Sequence, residues 1–357
     1  MKKEKIQIGI AGLIIGIIAI TLVVLGNPKN MGFCIACFLR DTAGGIGLHK
    51  APVVQYIRPE IIGLVLGSLI LSVANKEFNP RGGSAPVIRF ILGAFVMIGC
   101  LMFLGCPFRT ILRLAGGDLN AVFGLLGYVI GILIGVAFLK SGYTLGRTYS
   151  QPVLEGASFS VVQIVLLFFV ALAPAFIAFS VEGPGASHAP LIISLIAGLA
   201  VGALAQRTRL CMVGGVRDVV LFGETKLLIG FVAIFISALI GNLILTAVTG
   251  TAYFKLGFEG QPIAHTDSLW NCIGMVLAGF GSVLLGGCPM RQLVMAGEGN
   301  SDSAITIFGL MTGAAFAHNF GLASSGKGPT PAGKIAVLIG IAVTLVIAVI
   351  NTKRSKN

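Results

Sequence analysis

The sequence has few charged residues, and this shortage excludes several classes of protein. Of its 357 residues, 11% are charged and 56% are apolar, with a mean hydropathy of +0.97. Soluble proteins carry about 25% charged residues on average. Because so little charge cannot cover a soluble surface of this size, the composition excludes a soluble enzyme, a disordered chain and a nucleic-acid-binding module. The net charge of +12 then points to basic cytoplasmic loops of a membrane protein.

Several patterns of catalysis and metal binding are also missing. The seven cysteines leave one unpaired in any disulfide framework, and they show no zinc-ligand spacing. The four histidines are not clustered as metal ligands either. No nucleotide-binding motif is present, so the chain is not expected to hydrolyse ATP. These absences predict no enzymatic activity, no cofactor and no metal site.

Long apolar stretches fill most of the chain and predict membrane spans. A helix that crosses a bilayer needs roughly 17–25 predominantly apolar residues. Ten stretches come close enough to this length to be predicted as spans: 6–26, 59–74, 86–105, 121–140, 158–181, 189–206, 226–248, 270–287, 304–323 and 332–350.

The distribution of basic residues predicts the orientation of these spans. An even number of spans places both termini on one side, and both termini are basic, with Lys2, Lys3 and Lys5 at the start and Lys353, Arg354 and Lys356 at the end. Basic segments stay in the cytoplasm. With both termini inside, the cytoplasmic segments hold most of the Lys and Arg residues, and the outside loop 181–187 holds none. This pattern predicts an inner (plasma) membrane protein with cytoplasmic termini.

Two short motifs recur in the same order in the two halves of the chain. Gly105-Cys106-Pro107-Phe108-Arg109 in the first half matches Gly287-Cys288-Pro289-Met290-Arg291 in the second. Earlier in each half, a cysteine precedes an Arg-Asp pair with five residues between them: Cys34 precedes Arg40-Asp41, and Cys211 precedes Arg217-Asp218. Recurrence of two motifs in order at matching places indicates an internal repeat.

Five spans in each half require the second half to be inverted in the membrane. The sequence therefore predicts an all-α polytopic membrane protein, with about ten transmembrane helices and four re-entrant half-helices in two inverted five-helix repeats. Residues 1–157 form the first repeat up to its fourth span, 158–181 the fifth span that closes it, and 182–357 the second repeat. Inverted repeats with broken helices near the midplane are a recurrent plan of transporters.

The segments after the motif cysteines are too short to cross a membrane. Such segments are expected to be re-entrant half-helices, which persist at membrane depth only where protein or a water-filled cavity covers them. Pro107 and Pro289 suit the first helical position, which makes Cys106 and Cys288 the N-cap residues. A cap cysteine lies beside free backbone N–H groups at the positive end of the helix dipole, where anions bind. Its S–H group can also donate a weak hydrogen bond to a soft acceptor such as sulfur.

The motif arginines leave two interpretations open. Arg109 and Arg291 lie one helical turn after their cysteines. In one interpretation they hold an anion, and in the other they neutralise carbonyl groups of the re-entrant hairpin that each half-helix forms with the preceding span. Buried charges in a membrane usually have a partner, so Arg40–Asp41 and Arg217–Asp218 are expected to lock the re-entrant turns as ion pairs. Gly105 and Gly287 complete the structural motif.

Cys37 forms a C-x-x-C pattern with Cys34 that is compatible with a redox pair. The repeat position that corresponds to Cys37 is Gly214, so the duplicated plan needs only the first cysteine. The remaining cysteines, Cys100 and Cys272, lie within predicted spans, where cysteine commonly behaves as a small apolar residue.

At these motifs the sequence resembles the YeeE/YedE family of sulfur-transport membrane proteins, over nearly the whole chain. The segment Met31–Gly45 looks most like the YedE branch, which is associated with selenium metabolism. The resemblance implies an hourglass-shaped helical fold whose central cysteines pass thiosulfate along by S–H to sulfur contacts. The matching positions are Cys34, Cys106 and Cys288, with Cys211 as the fourth by the repeat. It also implies a cytoplasmic sulfur- or selenium-carrier protein, similar to TusA, as a partner.

The sequence thus predicts a transporter of a small sulfur- or selenium-containing compound, with the substrate pathway lined by Cys34, Cys106, Cys211, Cys288, Arg109 and Arg291. Two alternatives remain at this point. A membrane thiol–disulfide oxidoreductase would need Cys37, and a channel for another small anion would need the arginines and helix ends but not the sulfur atoms.

Overall fold

The protein is described by a computed structural model over residues 2–354, in which it is almost entirely α-helical. Lys356, part of the predicted basic C-terminus, lies outside the described residues. Two short strands, β1 (Arg81–Gly82) and β2 (Tyr149–Ser150), pair antiparallel. The helices are α1 (Lys2–Val24), α2 (Ile35–Gly45), α3 (Pro59–Ala74), α4 (Pro86–Phe103), α5 (Pro107–Ala115), α6 (Asn120–Lys140), α7 (Val153–Leu172), α8 (Gly183–Ala186), α9 (Leu191–Thr208), α10 (Met212–Phe222), α11 (Lys226–Thr249), α12 (Ser268–Leu284), α13 (Pro289–Gly297), α14 (Ser301–Asn319) and α15 (Pro331–Arg354).

Within the described range, eight segments are long and apolar enough to cross a membrane. Three of them join a long helix to the short helix that follows it. The eight segments are Lys3–Val24, Pro86–Ala115, Asn120–Lys140, Val153–Leu172, Leu191–Phe222, Lys226–Thr249, Ser268–Gly297 and Pro331–Thr352.

Two of the ten predicted spans, 59–74 and 304–323, form helices that do not reach this criterion. Helix α3 is apolar but has only 16 residues. Helix α14 has 19 residues, yet Asp302 near its start and His318 near its end reduce its mean hydropathy. Both helices are packed inside the bundle, where a short or partly polar helix is tolerated because neighbouring helices cover it.

Local sequence signals account for several helix boundaries. Proline begins α3, α4, α5 and α13, where its missing N–H leaves no helical hydrogen bond unmade. The predicted span 158–181 is displaced: α7 begins at Val153 and ends at Leu172, so residue 157 lies inside a helix. Ala173, with φ of 44°, adopts the left-handed conformation that ends the helix, and Pro174 follows it.

Close contacts at glycines show that α3 runs parallel to α9. A Cβ atom added to Gly198 would lie 2.5 Å from the Glu60 carbonyl oxygen, and one added to Gly202 would lie 2.1 Å from the Leu64 carbonyl oxygen. Small residues allow backbones in membrane bundles to approach this closely. Because both contacts advance by four residues in the same direction, the two helices are parallel.

Helices α4 and α12, the third spans of the two predicted repeats, run antiparallel. A Cβ atom on Gly281 would meet Val96, and one on Gly274 would meet Met102, so the contacts advance in opposite directions. Helix α1 packs in parallel along α11, since Gly12 faces Gly230 and Gly16 faces Ile234. Helices α3 and α9 thus form a parallel pair between the two halves of the chain, and α11 and α1 form a second parallel pair of the same kind.

Polar contacts mark the two ends of the bundle. At one end, Arg58 donates from Nη1 to the Ser187 carbonyl oxygen at 3.1 Å, and Ala189 N donates to Asn27 Oδ1 at 2.8 Å. At the other end, Lys5 of α1 lies 3.4 Å from Glu224, in the loop before α11. The Lys226 backbone N–H and Lys5 together hold the pKa of the Glu224 carboxyl below its usual value.

Candidate functional site

Four cysteines stand at the N-terminal ends of four short helices. Cys34, Cys106, Cys211 and Cys288 are the N-cap residues of α2, α5, α10 and α13. Helices α5 and α13 begin at Pro107 and Pro289, as the Gly-Cys-Pro motifs predict. Each helix has 9 or 11 residues, which is too short to cross a bilayer.

The four thiols are arranged as two pairs, each formed within one half of the chain. Cys34 Sγ lies 3.8 Å from Cys106 Sγ, and we call these two residues the first thiol pair. Cys211 and Cys288, which we call the second thiol pair, have side chains within electrostatic range of each other. The Met212 backbone N–H also donates to Cys288 Sγ at 3.4 Å. All four side chains are buried and none is in a disulfide.

Each thiol pair lies where two helix N-termini converge. The first turns of α2 and α5 surround the first pair, and those of α10 and α13 surround the second pair. Free N–H groups and the helix dipole make such ends attractive to anions. The Cys37 N–H already donates to Cys34 Sγ at 3.4 Å, which shows that a sulfur atom can be the acceptor there. The arrangement combines a positive potential with soft, polarisable sulfur atoms.

Arg109 is a buried guanidinium whose oxygen acceptors are all backbone carbonyl groups. It is 0% exposed, and among residues 2–354 no Asp or Glu forms an ion pair with it. Nε donates to Asn30 O at 3.0 Å, Nη1 to Leu104 O, and Nη2 to Pro262 O and Ile263 O at 3.3 and 3.2 Å. Its positive charge is therefore not cancelled by a carboxylate, and it lies beside the first thiol pair.

Arg291, which corresponds to Arg109 in the repeat, is neutralised. Its Nη1 lies 3.1 Å from Glu298 Oε1, and the same carboxylate oxygen accepts from Arg209 at 2.9 Å. The two motif arginines therefore have different environments, with excess positive charge at the first thiol pair. The sequence left the role of both arginines open and did not predict this asymmetry. Glu298 directly follows α13, whereas most acceptors of Arg109 come from distant loops that only the fold brings to it.

The Arg-Asp pairs of the motifs form ion pairs between neighbouring residues within α2 and α10. Arg40 lies 2.7 Å from Asp41, and Arg217 lies 2.8 Å from Asp218. Sequence reasoning missed two further buried arginines: Arg58 also pairs with Asp41 at 2.7 Å, and Arg113 pairs with Asp118 at 2.6 Å. A signal for Arg113 was available, since it follows Arg109 by one helical turn on the same short helix.

A cavity of about 420 Å³ lies among α2, the end of α14 and several loops. Its wall includes Arg40 and His318, together with Leu104 and Ile263, whose carbonyl oxygens accept from Arg109. His318 Nε2 is buried and has no hydrogen-bond partner among the described residues. The cavity therefore reaches the layer of residues that surrounds Arg109.

The other cysteines take no part in either thiol pair. Cys37 is 0% exposed, and its Sγ lies 3.6 Å from Arg109 Nη1 and 4.0 Å from Leu104 O. Cys100 is buried in α4, and Cys272 is partly exposed on α12. In the described part of the chain, no three His, Cys, Asp or Glu side chains cluster closely enough to hold a metal ion.

The second half of the chain is similar to a known family. Residues 207–352 match the family described as "Sulphur transport". The matched range contains the second thiol pair and helices α11 to α15. No curated protein matches the chain. Together with the apolar helices, the match points to a membrane protein with a role in sulfur transport, which is not an enzymatic role.

Proposed function

We propose that this protein carries a small sulfur- or selenium-containing anion through the membrane, along a central pathway lined by cysteine thiols. The observation that carries the proposal is the set of two thiol pairs, each placed at converging helix N-termini. A neutral S–H group donates a weak hydrogen bond to a sulfur or selenium atom and forms no covalent bond with it. The substrate thus passes from one pair to the other without a chemical reaction.

The charges beside the first thiol pair support an anion as substrate. Arg109 contributes a buried positive charge with no carboxylate partner, and the ends of α2 and α5 add partial positive charge. A second charge accompanies Arg40, because Asp41 is shared between Arg40 and Arg58. The excess positive charge along the cavity attracts an anion towards the first pair.

We assign the two halves of the chain to inverted repeats in an inner membrane, with both termini in the cytoplasm. The antiparallel contact of α4 with α12, and the parallel contact of α3 with α9, are the directions that ten spans require. The first repeat ends with α7, and the second begins after residue 181. The first thiol pair then opens to the outside and the second to the cytoplasm, where a sulfur- or selenium-carrier protein similar to TusA receives the substrate.

Thiol labelling tests this orientation. In a background without the seven native cysteines, Val181→Cys should react with an impermeant maleimide added outside, because Val181 is 95% exposed and lies in the loop without basic residues. Arg147→Cys and Lys76→Cys, both at exposed positions, should react only from the cytoplasmic side. Reaction of positions 181 and 147 from the same side would contradict the inverted arrangement.

Uptake in a strain that lacks its other sulfur and selenium importers tests the function itself. Cells that express the protein should accumulate at least one of thiosulfate, selenite and selenide faster than cells with an empty vector. Formate and nitrite serve as the comparison, since a channel for another small anion would conduct them instead. Absence of uptake of every sulfur and selenium compound, from correctly inserted protein, would reject the proposal.

The oxidoreductase alternative is weakened by the burial of its cysteines. Cys34 and Cys37 are both 0% exposed, so a partner thiol protein cannot reach them in this conformation. We expect Cys37→Ser to retain most of the uptake, because serine still donates to the Leu104 carbonyl oxygen and the first thiol pair remains intact. Initial uptake rates measure this. A loss as large as that of Cys34→Ser, or a trapped mixed disulfide through Cys37, would favour redox chemistry.

A further inference from the structure

Tyr128 places a buried hydroxyl group in the otherwise apolar helix α6. The residue is 2% exposed, and its hydroxyl oxygen has no hydrogen-bond partner among the described residues. Buried tyrosine hydroxyls usually have a partner, since an unpaired polar group loses its hydration without compensation. Unlike the orphan hydroxyl of Tyr143, that of Tyr128 lies near motif cysteines, where a passing substrate can bond to it.

Tyr128 lies near members of both thiol pairs. Within electrostatic range of its hydroxyl are Cys288 and Cys211 of the second pair, then Cys100 of α4 and Cys106 of the first pair. Contacts support this placement independently. Tyr128 and Met212 line the same cavity, and the Met212 N–H donates to Cys288 Sγ.

On the side of the first thiol pair, the end of α4 positions this part of α6. A Cβ atom added to Gly124 would lie 2.4 Å from the Phe103 ring. Gly124 precedes Tyr128 by one helical turn. Phe103 is three residues from Cys106. Helix α6 is therefore held against the segment that carries the first pair, while Met212 connects the same tyrosine to the second pair.

The hydroxyl group does not face the cavity that the tyrosine helps to line. This cavity, of about 370 Å³, is bounded by α5, α6, α10 and α11, and its wall is almost entirely apolar. The hydroxyl oxygen itself is inaccessible. It is therefore not satisfied by water in that cavity, and the groups near it include three motif cysteines and Cys100.

Tyr128 has no counterpart in the second half of the chain. Gly124 and Gly309 correspond in the repeat, which places Gly313 at the position of Tyr128. Gly313 packs directly against α4, since a Cβ atom there would lie 2.4 Å from the Ala94 carbonyl oxygen. The repeat thus supplies this tyrosine hydroxyl once, rather than once for each thiol pair.

We propose that Tyr128 determines substrate specificity by donating a hydrogen bond to an oxygen atom of the anion as it moves between the two thiol pairs. The inference rests on the proposed transport function and narrows its substrate class. Thiols suit a soft sulfur or selenium atom, whereas a phenol O–H donates to a hard oxygen atom. The substrate is then an oxyanion that carries both kinds of atom, such as thiosulfate or selenite, and not selenide. Because the phenol is neutral, it orients the anion without trapping it.

Substitution of Tyr128→Phe tests this role, since phenylalanine keeps the ring and removes only the hydroxyl. We expect the uptake of thiosulfate or selenite to fall about tenfold or more, the range for losing one hydrogen bond to a charged group. The unfolding temperature of the purified variant should be unchanged or slightly higher, because the hydroxyl has no hydrogen-bond partner among residues 2–354. Stabilisation of the protein by added thiosulfate should be reduced.

Tyr143→Phe is the matched control. Tyr143 is also a buried tyrosine with no partner for its hydroxyl among the described residues, but its electrostatic neighbour is Arg89 rather than the motif cysteines. The Tyr143→Phe variant should take up thiosulfate and selenite at the same rate as the unmodified protein.

Other results would overturn the inference. Normal thiosulfate and selenite uptake by the Tyr128→Phe protein would reject the role of Tyr128 and leave the transport function standing. An unfolding temperature several degrees lower would show that the hydroxyl serves the fold. If the unmodified protein took up selenide but no oxyanion, the inference would be rejected and the transport function would stand. If it took up none of thiosulfate, selenite and selenide, both would be rejected.

Discussion

Serine in place of both Cys106 and Cys288 should reduce the uptake of the sulfur or selenium substrate by at least about tenfold, which corresponds to about 1.4 kcal/mol of barrier height. Each cysteine belongs to one thiol pair and caps a half-helix, so the double variant removes one sulfur from each pair. Serine preserves the size and is a good N-cap residue. The variant therefore separates the sulfur atoms from the helix ends.

The physical reason for the loss is the hardness of the hydroxyl group. A serine O–H prefers an oxygen acceptor and keeps its own hydrogen bonds, whereas a thiol is weakly bonded and polarisable. If sulfur-to-sulfur contact guides the anion, alanine should be no worse than serine at the same positions. Initial rates of uptake of labelled thiosulfate and selenite measure the effect, and recovery of folded protein from membranes verifies insertion.

Cys272→Ser is the matched control for the thiol substitutions. Cys272 lies on α12, is partly exposed and belongs to neither pair, so its replacement should leave uptake unchanged. Normal transport by the double serine variant would reject the thiol relay and leave only a generic anion pathway through the helix ends.

Removal of the charge at Arg109 should have the second large effect. Arg109→Gln should reduce uptake by about tenfold or more, mainly through a higher KM, because the buried charge that attracts the anion is lost. Arg109→Lys keeps the charge but not the planar fork that reaches several carbonyl oxygens, and it should retain part of the uptake. Both variants leave carbonyl groups without a donor, at a cost of about 1–3 kcal/mol for each buried group, so both should unfold at a lower temperature.

Arg291→Gln is the informative comparison for Arg109. Arg291 occupies the repeat position that corresponds to Arg109, but its charge is already neutralised by Glu298. When Arg291 is replaced, Glu298 keeps Arg209 as a partner. The KM should therefore change less than in Arg109→Gln. Equal KM values for the two glutamine variants would show that Arg109 serves only to bind the hairpin carbonyls. The same conclusion would follow if Arg109→Lys were as inactive as Arg109→Gln.

Local signals in the sequence were sufficient for the features that depend on neighbouring residues. Proline after cysteine predicted the starts of α5 and α13, because the preference of proline for the first helical position does not depend on tertiary contacts. Runs of apolar residues predicted the spans that meet the length and hydropathy criterion. The predicted spans and the observed helices differ at three places. Helix α3 is too short to meet the criterion, and α14 is too polar but is covered by its neighbours. Helix α7 ends early because a left-handed residue precedes a proline.

The sequence by itself determined the helical membrane class, the repeated motifs and the cysteine caps, because composition and short-range spacing encode them. Only the tertiary structure decided which groups meet. Cys34 and Cys106 are 72 residues apart in the chain, Arg109 reaches carbonyl oxygens of a loop beyond residue 260, and Tyr128 lies near motif cysteines from both halves. Such contacts depend on how helices pack, which hydropathy does not specify, since lipid and protein interior are equally apolar. For that reason, the neutralised Arg291 and the unpaired Arg109 have the same motif in the sequence and different electrostatics in the fold.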